Sequence, residues 1–323
     1  MRIDITSDAA RFLAEAGPLL RRDPLRHTVI ATTAVNQAEG RSGAMATRLL
    51  TVRDGATVGL AMCTQGSVYL GELPADSVPA VADAFVADGV ALRSVEGAVA
   101  DADAFAAHWS RVGDGSYRWK YSTRLFRLGD LRVPGATGAL QVSGADGSLR
   151  VPGADGALPV SESAEASQLS GAAGALRVPA VEGAARRATV ADTAVCLELV
   201  RAFAAESGAP LRLDEAAVRR RVEAGLWWLW ERDGAPVALV ARQPAVLGWA
   251  RIGPVYTPPD LRGNGFASAL TATVAAGIRA EGADACLFTD LANPTSNKIY
   301  QAIGFEPVRD FVHHTLSQPD PDR

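Results

Sequence analysis

Apolar residues along the first part of the chain alternate between strand-like and helix-like spacing. A helical spacing covers residues 8–21, and period-two alternation at 49–53 and 57–64 flanks an Asp54-Gly55 turn. A second helical spacing covers 76–87, and a long alternating run follows at 118–128. These spacings predict an amphipathic helix, a hairpin, a further helix and a closing strand, which is a mixed α/β (α+β) arrangement.

The last part of the chain repeats this order. Strand-like spacing at 246–256 is followed by a helical pattern at 268–280, a short strand at 285–289 and a second helix from 293. A final alternating run covers 308–316. The pattern predicts a mixed, mostly antiparallel sheet flanked by helices, built twice along the chain.

Between these parts the composition shifts to Gly, Ala, Ser, Pro and Val. The run Leu131-Arg132-Val133-Pro134-Gly135 recurs as Leu149-Arg150-Val151-Pro152-Gly153 and, altered, from Leu176. Too little apolar surface is present to offset the entropy of ordering, so we predict a flexible repeat linker, with short β-arcs as the alternative. The expected division is a domain at 1–130, the linker at 131–185, a second domain at 186–317 and a frayed tail at 318–323.

A Gly-rich turn joins the strand at 246–256 to the helix that follows it. The turn reads Arg262-Gly263-Asn264-Gly265-Phe266-Ala267. Backbone N–H groups in the first turn of a helix have no intrahelical partners, and the helix dipole favours negative charge there. Glycine lets a phosphate approach the main chain, and Arg262 can add a charge-assisted contact. The turn therefore predicts a site for a phosphorylated ligand.

Two familiar phosphate motifs fit this turn poorly. A dinucleotide fingerprint would need a third glycine where Ser268 stands, and a Thr-Pro-Pro-Asp-Leu-Arg insertion separates the strand from the glycines. A Walker loop would need Gly-Lys-Ser/Thr at the end of the turn, which is missing. The turn instead resembles the Q/R-x-x-G-x-G/A signature of the GNAT N-acetyltransferase superfamily.

A second segment strengthens that resemblance. The run from Asn293 to Phe305, NPTSNKIYQAIGF, is similar to the GNAT pattern N-x-x-[SA]-x-x-[LI]-Y-x-x-x-G-F. Asn293 suits a helix N-cap, and Gly304 suits the position after the helix. The resemblance covers about 186–316 and implies a GNAT fold whose sheet is splayed at the cofactor site. The first part matches the order of elements without the motifs, which favours a degenerate GNAT-like module; an unrelated α+β domain remains an alternative.

The resemblance implies acetyl-CoA as co-substrate, with no metal. Its pantetheine arm would pair with the main chain of Val255, Tyr256 and Thr257. Tyr300 would protonate the leaving thiolate, and Asn293 and Ser296 would touch the cofactor arm. The diphosphate would lie on the turn residues Arg262, Gly263, Asn264, Gly265, Phe266 and Ala267.

The base that deprotonates the acceptor amine is harder to identify. Many GNAT enzymes carry an acid on the strand that corresponds to 246–256, and this strand has none. Asp290, just after the next strand, is the candidate for a base or an amine-holding group. Glu231 and Asp233 are weaker candidates because they flank a hairpin turn, where carboxylates are usually solvated.

The composition limits the classes of molecule that the chain is expected to bind. The formal net charge of −4 gives no general attraction for nucleic acid or an anionic membrane. Three widely spaced cysteines suit reduced thiols in a cytoplasm. The expected function is transfer of an acetyl group to a primary amine, small or on a protein, by a monomer or homodimer. A non-catalytic acyl-CoA sensor and a nucleotide-dependent oxidoreductase are the alternatives.

Overall fold

A computed structural model describes residues 1–41, 47–131, 181–208 and 213–318, and the backbone alone of 141–142 and 149–150. Most of the predicted linker therefore lies outside the described residues. The helices are α1 Ala9–Arg22, α2 Thr28–Ala38, α3 Val78–Ala87, α4 Val99–Gly113, α5 Thr193–Ser207, α6 Glu215–Glu223, α7 Phe266–Ala280 and α8 Pro294–Ile303. The strands of the first part are β1 Arg2–Thr6, β2 Thr47–Asp54, β3 Ala56–Thr64, β4 Ser67–Leu70, β5 Ser94–Ala98 and β6 Ser116–Leu128. The later strands are β7 Gln141–Val142, β8 Leu149–Arg150, β9 Ala184–Arg187, β10 Trp227–Arg232, β11 Ala235–Arg242, β12 Trp249–Tyr256, β13 Asp284–Asp290 and β14 Phe305–Ser317.

Twelve strands form one sheet, in the order β1-β2-β3-β4-β5-β14-β6-β13-β12-β11-β10-β9. Among the described strands, only the pairs β4/β5 and β12/β13 are parallel, and each is connected through a helix. The predicted mixed, mostly antiparallel sheet flanked by helices is confirmed.

The two parts of the chain exchange their last strands. β14 pairs with β5 of the first part, and β6 pairs with β13 of the second part. β6 and β14 also pair with each other over nearly their whole length, and a bidentate Arg124–Asp310 ion pair at 2.6 and 2.8 Å joins them. Each part therefore needs a strand from the other to fill its sheet.

Helices cover both faces of the sheet. α3, α4, α7 and α8 pack on one face, where buried residues such as Phe85, Phe105 and Leu270 form the core. α1, α2, α5 and α6 pack on the other face, over Phe12, Trp227 and their neighbours. Because successive strand residues point to opposite faces, alternate residues of a strand contact different sets of helices.

Candidate functional site

A wedge opens between the parallel strands β12 and β13. Their pairing runs from Trp249 opposite Asp284 to Ile252 opposite Leu287 and continues no further. β12 then stays with β11 on its other side, where Tyr256 pairs with Leu239. The last residues of β12 therefore turn main-chain groups toward an open edge, as the resemblance implied. The strand itself is shorter than expected, since Val246 and Trp249 close a turn that contains Leu247 and Gly248, both at positive φ.

The Gly-rich turn lies directly beyond this wedge. Gly263 and Gly265 have φ of 82° and 81°, in the left-handed region that a side chain disfavours. α7 begins at Phe266, and no side chain caps its N-terminus. Asn264 stabilises the turn through hydrogen bonds from Nδ2 to the carbonyl oxygens of Leu261 and Arg262, at 3.0 and 3.3 Å. The first amides of α7 are thus left available to an anion.

Arg262 is held against the neighbouring helix. Its guanidinium donates to a carboxylate oxygen of Glu206 at 2.7 Å and to the carbonyl of Thr257 at 3.0 Å, and lies 5.8 Å from the ring centre of Tyr256. The hydrogen bond with Glu206 raises the Arg262 pKa. Contact between Arg262 and a diphosphate stays a prediction, and it would place the phosphate in competition with Glu206.

The start of α7 is anchored in the core. Phe266 is buried, with the Arg232 guanidinium 5.3 Å from its ring centre. Ala267 is half-buried. A Cβ added at Gly265 would lie 3.2 Å from Val181, whereas one added at Gly263 would meet nothing within 4 Å. The space beside Gly263 is therefore open to a ligand.

The second motif forms α8 as its sequence predicts. The Asn293 side chain accepts a hydrogen bond from the Ser296 N–H at 3.0 Å, so Asn293 is the N-cap. Gly304 ends the helix at φ 107°. Ser296 is half-buried one turn before Tyr300, which puts both side chains on the same side of the helix.

Tyr300 is almost fully enclosed. The residue is 8% exposed, and its ring meets Phe305 edge-on with centres 6.1 Å apart. Burial raises the pKa of its hydroxyl to about 12. Because its pKa is raised, the hydroxyl is protonated at neutral pH. No described residue hydrogen-bonds it, so it is available to a ligand.

Asp290 ends β13 at the mouth of the wedge. Its carboxylate is exposed and accepts a hydrogen bond from the Ala292 N–H at 2.8 Å. Its carbonyl accepts from the Asn297 side chain at 3.0 Å, which ties the strand to α8. The weaker candidates lie elsewhere: Glu231 is ion-paired with Arg186, and the Asp233 side chain is 91% exposed.

The sequence did not point to the polar residues on the face of the sheet opposite α7. Tyr69, Glu96, His313 and Tyr121 are cross-strand neighbours on β4, β5, β14 and β6. His313 Nδ1 lies 3.6 Å from the Glu96 carboxylate, and its ring stacks on Tyr121 with centres 4.6 Å apart. Arg251 of β12 lies on the same face. Only the pairing of distant strands brings these residues together, so no local motif could have found them.

Comparison with protein-family models gives a match to the model described as FR47-like protein, over residues 232–312. That range contains the wedge, the Gly-rich turn and α8. A search of curated proteins found no match.

Several solved structures align over almost the whole chain. A protein from Drosophila is 11% identical with a TM-score of 0.58, over 97% of this chain and 98% of its own. A GCN5-related N-acetyltransferase from Sphaerobacter thermophilus is 16% identical with a TM-score of 0.54, over 98% and 95%. A tandem GNAT protein from the clavulanic acid biosynthesis pathway is 14% identical with a TM-score of 0.53, over 99% of both chains. At these identities the likeness shows the fold.

Proposed function

We propose that this chain, which has the GNAT acetyltransferase fold, moves an acetyl group from acetyl-CoA to a primary amine. The observation that carries the proposal is the wedge between β12 and β13, which lies directly before the uncapped start of α7. A wedge with open main-chain groups suits an extended amide-bearing arm, and an uncapped helix start suits a diphosphate. Both are parts of coenzyme A.

The residues present fit such a co-substrate. The amides from Arg262 to Ala267 would hold the diphosphate, with room beside Gly263. The main chain from Val255 to Thr257 would pair with the pantetheine arm, and the Thr257 hydroxyl is buried without a partner among the described residues. Asn293 and Ser296 would contact the arm from α8.

The reaction is direct attack by the amine on the thioester carbonyl. The amine nitrogen forms the new C–N bond, the C–S bond breaks, and the proton lost from nitrogen balances the one gained by the thiolate. Most of the rate comes from positioning and from main-chain N–H groups that stabilise the developing oxyanion. The Tyr300 hydroxyl donates a hydrogen bond to the departing sulfur. Asp290 is the candidate that holds or deprotonates the amine.

The three cysteines are buried and free, which suits a reducing cytoplasm. Among the described residues, no helix is long and apolar enough to cross a membrane. We assign 186–317 as the catalytic domain and 1–130 as a module that borders the acceptor side. The acceptor is a small or protein-borne amine, and the assembly is a monomer or homodimer.

Calorimetry with acetyl-CoA, followed by detection of free CoA thiol across a panel of amines, tests the proposal. Binding of acetyl-CoA together with amine-dependent thiol release would support an acetyltransferase. Binding with no release for any amine would favour an acyl-CoA sensor. Binding of NAD but not acetyl-CoA would contradict the proposal and favour an oxidoreductase.

A further inference from the structure

Two arginines on the face of the sheet opposite α7 have no ion-pair partner in the part of the chain that the structure describes. Arg251 lies on β12 and Arg221 lies on α6, and both are partly buried. Arg251 Nη1 is fully buried without a hydrogen-bond partner. Among the described residues, neither guanidinium forms an ion pair. Burial lowers the pKa of both groups, and the charge of Arg251 lowers that of Arg221 further.

This arrangement is unfavourable in the protein alone. Burying a charge is costly unless it is paired, and two like charges within electrostatic reach add repulsion. Two other partly buried arginines are paired: Arg242 contacts Glu281 at 2.6 Å, and Arg186 contacts Asp192 at 2.8 Å. No described residue supplies an anion that forms an ion pair with Arg221 or Arg251, so both guanidinium groups could accept one from a ligand.

The position of Arg251 links this anion to the wedge. Arg251 pairs with Cys286, one step before the last β12/β13 pair. Since strands advance about 3.3 Å per residue, its Cα lies roughly 7 Å along β12 from Gly253, where the wedge opens. Ile252 and Leu287 belong to the α7 core, so Arg251 and Cys286 point to the opposite face. An acceptor reaching the wedge from that face would pass the guanidinium.

The other walls of this face supply complementary groups. The Tyr69 hydroxyl is buried without a partner among the described residues. The Glu96 carboxylate is within electrostatic reach of Arg251 but forms no ion pair with it, and it lies 3.6 Å from His313 Nδ1. Positive charge thus lies at one end of the face, and the carboxylates of Glu96 and Asp290 lie toward the other. That polarity suits a molecule with an anionic group and an ammonium group.

We propose that Arg221 and Arg251 bind the anionic group of an amine acceptor and so select compact acceptors that carry a carboxylate or phosphate. The proposal rests on the proposed acetyl transfer, because it takes the wedge to hold the thioester. Guanidinium groups recognise both anions through paired N–H donors. The spacing favours a short chain between the anion and the amine.

Binding without turnover tests the site in the full-length chain. The probes are a set of N-acetyl amino acids, their carboxamides and inorganic phosphate, titrated by calorimetry. We expect the acids to bind at least tenfold more tightly than the carboxamides, and Arg251→Gln and Arg221→Gln each to remove at least tenfold of that affinity. Arg220→Gln, which changes an exposed arginine on the same helix, is the matched control and should bind like the wild type. Equal binding of acid and carboxamide, no binding of either, or unchanged binding by both variants would overturn the proposal.

Stability separates this outcome from misfolding. Because each substitution removes an uncompensated charge, both variants should unfold at the same temperature as the wild type or higher. If both variants bind the acids more weakly and also unfold at a lower temperature than the wild type, the loss of binding reflects structural damage and the assignment is overturned.

Turnover then separates the two proposals and the two anions. Thiol release is measured with amino acids, amino acid amides, aminoalkyl phosphates and neutral amines. If neutral amines are acetylated as well as the anionic ones, the anion site is wrong and acetyl transfer stands. If anions bind through the two arginines but no amine is acetylated, the site stands and the proposed reaction fails. Whichever of the amino acids and the aminoalkyl phosphates is acetylated with the higher kcat/KM identifies the preferred anion.

Discussion

Replacing Tyr300 by Phe removes one hydroxyl from the proposed site and little else. The ring is enclosed by the core and meets Phe305, and a phenylalanine would keep those contacts. No described residue loses a hydrogen bond. We therefore expect the free energy of unfolding to change by less than about 1 kcal/mol, because the hydroxyl has no protein partner to leave unsatisfied.

The size of the kinetic effect follows from the Tyr300 pKa of about 12. A simple thiol has a pKa of about 8.5, so full proton transfer from Tyr300 to the thiolate would be uphill by roughly 5 kcal/mol. The hydroxyl therefore acts mainly as a hydrogen-bond donor to the developing sulfur anion. Such a charge-assisted bond contributes about 1.5–3 kcal/mol, or roughly a 10- to 150-fold fall in kcat on its loss. Because this pKa is raised, the hydroxyl stays protonated up to about pH 11 and adds no pH dependence between about pH 6 and 10.

Assays of CoA thiol release at a saturating amine concentration measure this fall in kcat. We expect kcat to fall within that range while the Kd for acetyl-CoA changes less than twofold. Tyr117→Phe, at an exposed tyrosine on β6, is the control and should match the wild type. A kcat for Tyr300→Phe within twofold of the wild type would show that Tyr300 is a core tyrosine without a role in the reaction.

Three further changes test the fold and the cofactor site. Gly265→Ala should cost about 1–2 kcal/mol of stability because of its positive φ, and it should also raise the KM for acetyl-CoA. The control Gly89→Ala, at φ 76° in open space, should lower stability alone. Equal KM values for the two variants would contradict the proposed diphosphate site. Asp192→Asn should cost about 1–2 kcal/mol at pH 7, by loss of the bidentate bond from Arg186, in chemical denaturation. Because Arg186 holds the Asp192 pKa well below its ordinary value, this difference should persist above about pH 4 and shrink as the pH falls further; a constant difference would refute the assignment. A fragment of residues 181–323 lacks β6 and should aggregate alone but fold when co-expressed with residues 1–130, and a well-folded lone fragment would contradict the strand exchange.

The cofactor side of the site could be predicted because its determinants are local. Positive φ at Gly263 and Gly265 follows from their place between a strand and a helix. The Asn293 cap and the Gly304 stop need only their own helix. Such short-range rules allowed the GNAT resemblance to be recognised from the sequence, and the observed fold confirms that resemblance. The roles of the individual site residues stay predictions.

The strand exchange could not be predicted from these rules. Alternation in 118–128 and 308–316 predicts two strands, but it does not say which edge each strand joins. β6 and β14 find each other across 186 residues, as the Arg124–Asp310 pair shows. The choice depends on which sheet edges are open once both parts have formed, a property of the assembled chain.

The same exchange explains why the proposed acceptor face could not be predicted from the sequence. Arg251 is one charged residue in an apolar strand, and alone it could as well meet solvent. Exchange of β6 and β14 joins the two half-sheets, so that Tyr69 and Glu96 from the first part share a face with Arg251 from the second. A ligand on this face would contact both parts, whereas all the residues of the proposed diphosphate site belong to the second part. Acceptor selection should therefore depend on side chains from both parts, whereas the direct contacts to the cofactor should come from the second part, which needs β6 of the first part to fold.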